Sequence, residues 1–149
     1  MRIATWNLNT WINRKEGISN EQSWQWAEEN LEADLVIFTE AATPPPPSIA
    51  KLGWQAIHRR GGIPNRSGWG TVIAARNMRI DQVTHVGKDN QYELDRFYPG
   101  SLTAADVYIG HDYFATVIGL YLPYRKNSAK QFIGHPEQDL MAMNMDFVQ

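Results

Sequence analysis

Three segments near the amino terminus constrain this chain more than any others: "IATWN" at Ile3–Asn7, a helix-start signal at Ser19, and the apolar run "DLVIFTE" ending on Glu40. The first carries bulky residues on both faces, as a strand buried between two layers does. Ser19 opens S-N-E-Q, in which a serine hydroxyl and the glutamine three residues on satisfy each other's backbone amides. Trp24, Ala27 and Leu31 then recur at helical spacing with Glu28, Glu29 and Glu32 opposite, which predicts a helix from about Asn20 to Glu32. The third segment reads as a central parallel strand. Strand, helix and strand within roughly forty residues form a crossover unit whose two strands run parallel. Their carboxyl ends then lie close together, and Asn7 and Glu40 occupy those ends.

Asn7 and Asn9 flank a single Leu8, and a buried amide is costly unless its donors and acceptors are paired. One reading is a ligand site at the strand ends. The plainer one is that Asn7 caps a turn and Glu40 is a solvated strand end.

After Glu40 the run Pro44–Pro47 predicts a stiff, extended connector. Beyond it "WQAIH", "WGTVIAA", "IDQVTHV", "SLTAADVYI" and "YFATVIGLYLP" read as short strands between turn formers, suited to antiparallel hairpins. A Gly/Pro/Asn/Arg loop is expected from Arg59 to Gly68. A closing helix is expected from His135, with Pro136 in its first turn and Leu140, Met141, Met143 and Met145 along it. No repeat or internal boundary divides the 149 residues, so one domain is expected.

Fourteen basic and sixteen acidic residues leave a net charge of −2, so no global field draws in a polyanion. Locally the pattern differs. Between Glu40 and Asp81 there is no acidic residue, while Lys51, Arg59, Arg60, Arg66, Arg76 and Arg79 fall there. These are either solvated loop charges or a surface for phosphate oxygens, with Arg59, Arg60 and Arg66 the substrate-binding candidates. The absence of cysteine excludes disulfides and thiolate metal sites. No signal-like or membrane-length apolar stretch is present, so no membrane span and a cytoplasmic location are expected. His58, His85, His111 and His135 lack ligand spacing and read as structural or exposed.

"ATWNLN", "DLVIFTE" after a crossover helix, and "VIGLYLP", in that order, resemble the endonuclease/exonuclease/phosphatase superfamily, which includes deoxyribonuclease-I-like nucleases. The resemblance implies an α+β fold: the first lobe of a two-sheet sandwich, a mixed sheet with outer helices. It also implies a metal-dependent phosphoric-ester hydrolase acting on a phosphate ester, nucleic acid among the candidates. Carried over by position, Glu40 binds Mg²⁺ or Mn²⁺ and Asn7 stands beside it at the metal or the scissile phosphate. Asn9 contacts metal-bound water or phosphate, and Tyr121 hydrogen-bonds the phosphate. Elementary chemistry agrees with this set. Magnesium takes oxygen ligands, often from only one or two carboxylates, and a metal with amide donors offsets the charge that develops as a phosphodiester is attacked.

The chain also departs from the family pattern. A family sandwich runs to ~250 residues, and its Gly-Asp-x-Asn and Ser-Asp-His blocks are not found in these 149 residues. The resemblance therefore implies a partial domain with half an active site, a weakly held metal and no appreciable turnover by this chain. The alternative is a non-catalytic binding or assembly module that retains the first lobe. On either reading, one face of the lobe is expected to be uncovered. A bare sheet face exposes far more apolar area than a soluble monomer usually does, so a homodimer through that face is expected.

Overall fold

The computed structural model describes residues 1–58, 69–94 and 102–121. The chain opens with strand β1 (Ile3–Asn7), a short helix α1 (Thr10–Lys15) and the longer helix α2 (Asn20–Asn30). Strand β2 (Leu35–Ala42), a single helical turn α3 (Ser48–Lys51) and β3 (Trp54–His58) follow. The remainder is β4 (Trp69–Arg76), β5 (Arg79–Val83), β6 (His85–Val86), β7 (Tyr92–Glu93), β8 (Leu102–Ile109) and β9 (Asp112–Leu120). The fold is α+β and mostly strands. The expected loop from Arg59 to Gly68 and the expected helix from His135 lie outside the described residues.

The capping box forms as its sequence pattern requires. Gln22 N–H donates to Ser19 Oγ at 3.1 Å, and Ser19 N–H donates to Gln22 Oε1 at 2.8 Å. The helix ends at Asn30 rather than Glu32, because Leu31 turns to extended dihedrals while its N–H still reaches the Ala27 carbonyl. The polar stretch after Asn7 contains α1. Its first turn is held by the Asn9 carbonyl, which accepts from Ile12 N at 2.9 Å and Asn13 N at 3.1 Å. The proline run is followed at once by one helical turn, α3, with Pro47 at its N-cap.

The first sheet is mixed, in the order β1-β2-β4-β3, with β1 and β2 parallel and the other pairs antiparallel. Alternation decides what each face meets. Val36, Phe38, Val72 and Ala74 pack under Trp24 and Ala27 of α2. Leu35, Ile73 and Ala75 point the other way and meet Ile80, Ala105 and Val107. Those three belong to a second, antiparallel sheet in the order β5-β8-β9. The small hairpin of β6 and β7 covers part of its outer side, where Val86 and Leu94 pack on Ala104.

This stacking corrects one expectation. Ala115, Val117 and Gly119, alternating along β9, do not extend the first sheet's face; they lie in the sheet that covers it. The apolar face whose exposure motivated a face-to-face homodimer is filled within the chain, with Leu35, Ile73, Ala75, Ala105 and Val107 all fully buried. "IDQVTHV" also divides, into β5 and β6 at Thr84, whose carbonyl accepts from Leu94 N at 3.0 Å. No described helix is long and apolar enough to cross a membrane.

Candidate functional site

The pattern "NLN" at the end of β1 resolves into three roles. Leu8 is buried in the core under α2, and its N–H continues the ladder to the Thr39 carbonyl at 2.9 Å. Asn7 Oδ1 accepts from the Asn9 N–H at 2.8 Å, a side-chain turn across the buried leucine. Asn9 takes a left-handed backbone, φ 46°, which asparagine tolerates better than most residues, and starts α1 with its carbonyl. Asn13 locks the turn from behind: its Nδ2 donates to the Leu8 carbonyl at 2.7 Å and to Ser23 Oγ at 3.2 Å. Asn13 was not legible as a positioning residue, since nothing in the local spacing links it to Leu8.

Glu40 sits where β2 departs from regular geometry. Between Phe38 and Ala41 the strand carries one more residue than its partner β4, which pairs Phe38 with Val72 but Ala41 with Gly70. The bulge lets β2 run on to Ala42 instead of stopping at Glu40. Glu40 itself lies at φ 49°, in the left-handed region. That conformation is uncommon for a side chain that gains nothing locally from it.

Register and alternation place the neighbours. Asn7 is opposite Thr39, one residue before Glu40, and on β1 it alternates with Ala4 and Trp6, which pack towards α2. Asn7 is therefore on the side of the second sheet. Tyr121 arrives on that side too, directly after β9, and its hydroxyl donates to Glu40 Oε1 across 81 residues of sequence. The pair is half-buried. The Tyr121 phenol is pushed up to about 12, by burial first and then by the hydrogen bond and negative charge of Glu40. Tyr121 thus stays protonated through the neutral range.

Three of the sequence-derived site residues, Asn7, Glu40 and Tyr121, are brought to one end of the sandwich, and Asn9 adjoins them. Arg59, Arg60 and Arg66 lie outside the described residues. The acid-free span of sequence is not acid-free in space. Arg76 Nη1 bonds Glu28 Oε1 at 2.6 Å, and Arg79 Nη2 reaches Asp81 Oδ2 at 3.3 Å while its guanidinium lies over the Tyr108 ring. Two of the six cations of that span therefore have acidic partners in the fold. His85 and His111 are exposed, and burial holds His58 below its ordinary range.

The donor set at this end is one carboxylate with amide oxygens. Asn7 Oδ1 uses one lone pair on Asn9 and retains the other, and Glu40 Oε2 has no partner among the described residues. Oxygen donors of this kind suit a hard cation that keeps most of its water. Among the described residues no three His, Asp or Glu side chains converge. No family model matches the chain, and no curated protein matches it.

Proposed function

We propose that this chain is the first lobe of a divalent-metal-dependent phosphoric-ester hydrolase of the endonuclease/exonuclease/phosphatase type, and that it binds the metal without turning over substrate by itself. Glu40 and Asn7 would hold Mg²⁺ or Mn²⁺, with Asn9 beside them towards metal-bound water. When bound, the ion would draw negative charge from a phosphate oxygen. The protein's part is to fix one carboxylate and two amides at converging strand ends.

One observation carries the reading: a non-glycine residue, Glu40, is held at φ 49° inside a β-bulge at the carboxyl end of a parallel pair. Such a conformation costs on the order of 1–3 kcal/mol and persists where the surroundings over-determine it, most often at functional sites. A strand end of regular geometry does not need it. A single carboxylate makes a weak cage, so affinity for Mn²⁺ on the order of 10⁻³ M is expected. Mn²⁺ binding followed by electron paramagnetic resonance tests this. Glu40→Gln should weaken binding at least tenfold; equal affinity in that variant would remove the reading.

The alternative, an assembly module, is favoured by a different observation. Among the described residues β9 pairs only with β8, and it leaves Tyr113, Phe114 and Leu120 about half exposed or more. Natural edges are usually blunted by charge or proline, yet "DYFATVIGL" has only Asp112. Two copies paired antiparallel about Thr116 would set Asp112 against Leu120, so no like charges would meet. This edge, not the filled sheet face, is where we place a homodimer. Light scattering should then show a dimer that Phe114→Lys converts to monomer, and a monomeric wild-type chain would end this reading.

A further inference from the structure

We infer that Tyr121 is a positioning residue for Glu40: its phenol holds one carboxylate oxygen and presents the other for metal binding. This inference rests on the reading of Glu40 as a metal ligand.

The argument begins with proton counting. A phenol carries one O–H and can donate one hydrogen bond. In this structure that proton goes to Glu40 Oε1. A tyrosine so engaged cannot also donate to a phosphate oxygen, which is the role the family resemblance implies for this position. Its influence on the site runs through the carboxylate it holds.

The geometry favours that role over a merely structural contact. Glu40 has three rotatable side-chain bonds, and its backbone lies outside the strand's regular dihedrals, so the bulge alone does not aim the carboxylate. Tyr121 supplies a fixed point from the other sheet. It is delivered there by β9, which is clamped against β2 and β4 where Gly119 meets Ile37 and Thr71. Only Leu120 separates that clamp from the phenol. A hydrogen bond to an ionised acceptor in a half-buried place is among the stronger ones available. Outer partners of this kind orient ligating carboxylates, and their loss commonly lowers metal affinity 10- to 100-fold.

The test is a set of Mn²⁺ titrations, again by electron paramagnetic resonance, on the purified chain and five variants, with thermal midpoints recorded beside them. Tyr121→Phe keeps the ring and removes only the O–H; it should weaken Mn²⁺ binding roughly 10- to 100-fold while the midpoint falls by only a few degrees. Glu40→Asp keeps the charge but withdraws it from the phenol by one methylene, so it should lose a similar factor. It also gives an answer should Tyr121→Phe fold poorly. In the Glu40→Asp and Glu40→Gln backgrounds, adding Tyr121→Phe should change Mn²⁺ affinity no further. Unchanged or tighter binding in Tyr121→Phe would overturn the positioning role, and so would a loss from that substitution in either Glu40 background as large as its loss in the wild type. If instead Glu40→Gln binds Mn²⁺ as the wild type does, the metal reading itself has failed, whatever Tyr121 does.

Discussion

Gly119 faces Thr71 so closely that a Cβ at position 119 would stand 2.6 Å from the Thr71 methyl and 2.8 Å from Ile37 Cγ2. The second sheet approaches the first at this point because β9 has no side chain there, a common reason for glycine within an apolar strand. Thr103, paired with Gly119 across β8 and β9, adds a bond in the same place: its hydroxyl donates to the Thr71 carbonyl at 2.8 Å. A buried bridge and a missing methyl thus fix the spacing of the sandwich just ahead of Tyr121.

Gly119→Ala should therefore destabilise the fold. Both obstructing methyls sit on β-branched side chains with little rotamer freedom, so neither swings away cheaply. Overpacking of this kind costs about 1–3 kcal/mol, or roughly 3 °C of midpoint per kcal/mol at this chain length. Thr71→Ser removes one of the two methyls and keeps the hydroxyl. Combining it with Gly119→Ala should recover part of the loss in urea denaturation, and strictly additive effects would show that the two sites do not touch.

The second prediction concerns the clamp between α2 and the sheet. Arg76 donates to Glu28 Oε1 at 2.6 Å and, through Nε, to the Ala33 carbonyl at 3.1 Å, while the Trp54 indole N–H donates to the other Glu28 oxygen. The guanidinium also lies 4.7 Å over the Trp54 ring. Arg76→Ala would leave Glu28 half-buried without its cation and should cost about 2–4 kcal/mol. Arg76→Lys keeps the charge but not the planar fork, so it should restore less than half of that. Denaturation midpoints of the two variants decide it; near-complete rescue by lysine would mean that charge alone matters here.

How much of this could be read from the sequence depends on the range of the interaction. The Ser19–Gln22 cap is local and was legible, and so were the parallel strands on either side of α2 and most later strand boundaries. The bulge at Glu40 was not, because an extra residue in a strand changes pairing with β4 and leaves the apolar run intact. The helix α1 was missed because its six residues are held by the Asn9 carbonyl rather than by an amphipathic pattern. Which strands share a sheet was also hidden, although Gly119 in an otherwise bulky apolar strand was a usable signal. The partner of Arg76 was hidden, because Glu28 is remote from it in sequence and adjacent in space. Of the candidate site, the convergence of Asn7 and Glu40 followed from the crossover, whereas the bond from Tyr121 to Glu40 depends on how two sheets stack.

The last prediction is the pH dependence that this bond imposes. Tyr121 ionises at about 12 in the folded chain, against about 10 for an unperturbed tyrosine. The folded state therefore holds the phenolic proton more tightly than the unfolded state does. The resulting stability is fully present below pH 10 and is lost as the pH rises from there towards 12. Subtracting the absorbance titration of Tyr121→Phe from that of the wild type at 295 nm should isolate one phenol with a midpoint near 12. Glu40→Gln removes the charge and weakens the acceptor, so the midpoint should fall; burial, the larger cause, should still keep it above 10. Denaturation at pH 9 and pH 11.5 supplies the thermodynamic half of the test. The wild type should lose more stability between these two conditions than Tyr121→Phe, and equal losses would mean that the phenol is no better shielded in the fold than in the open chain.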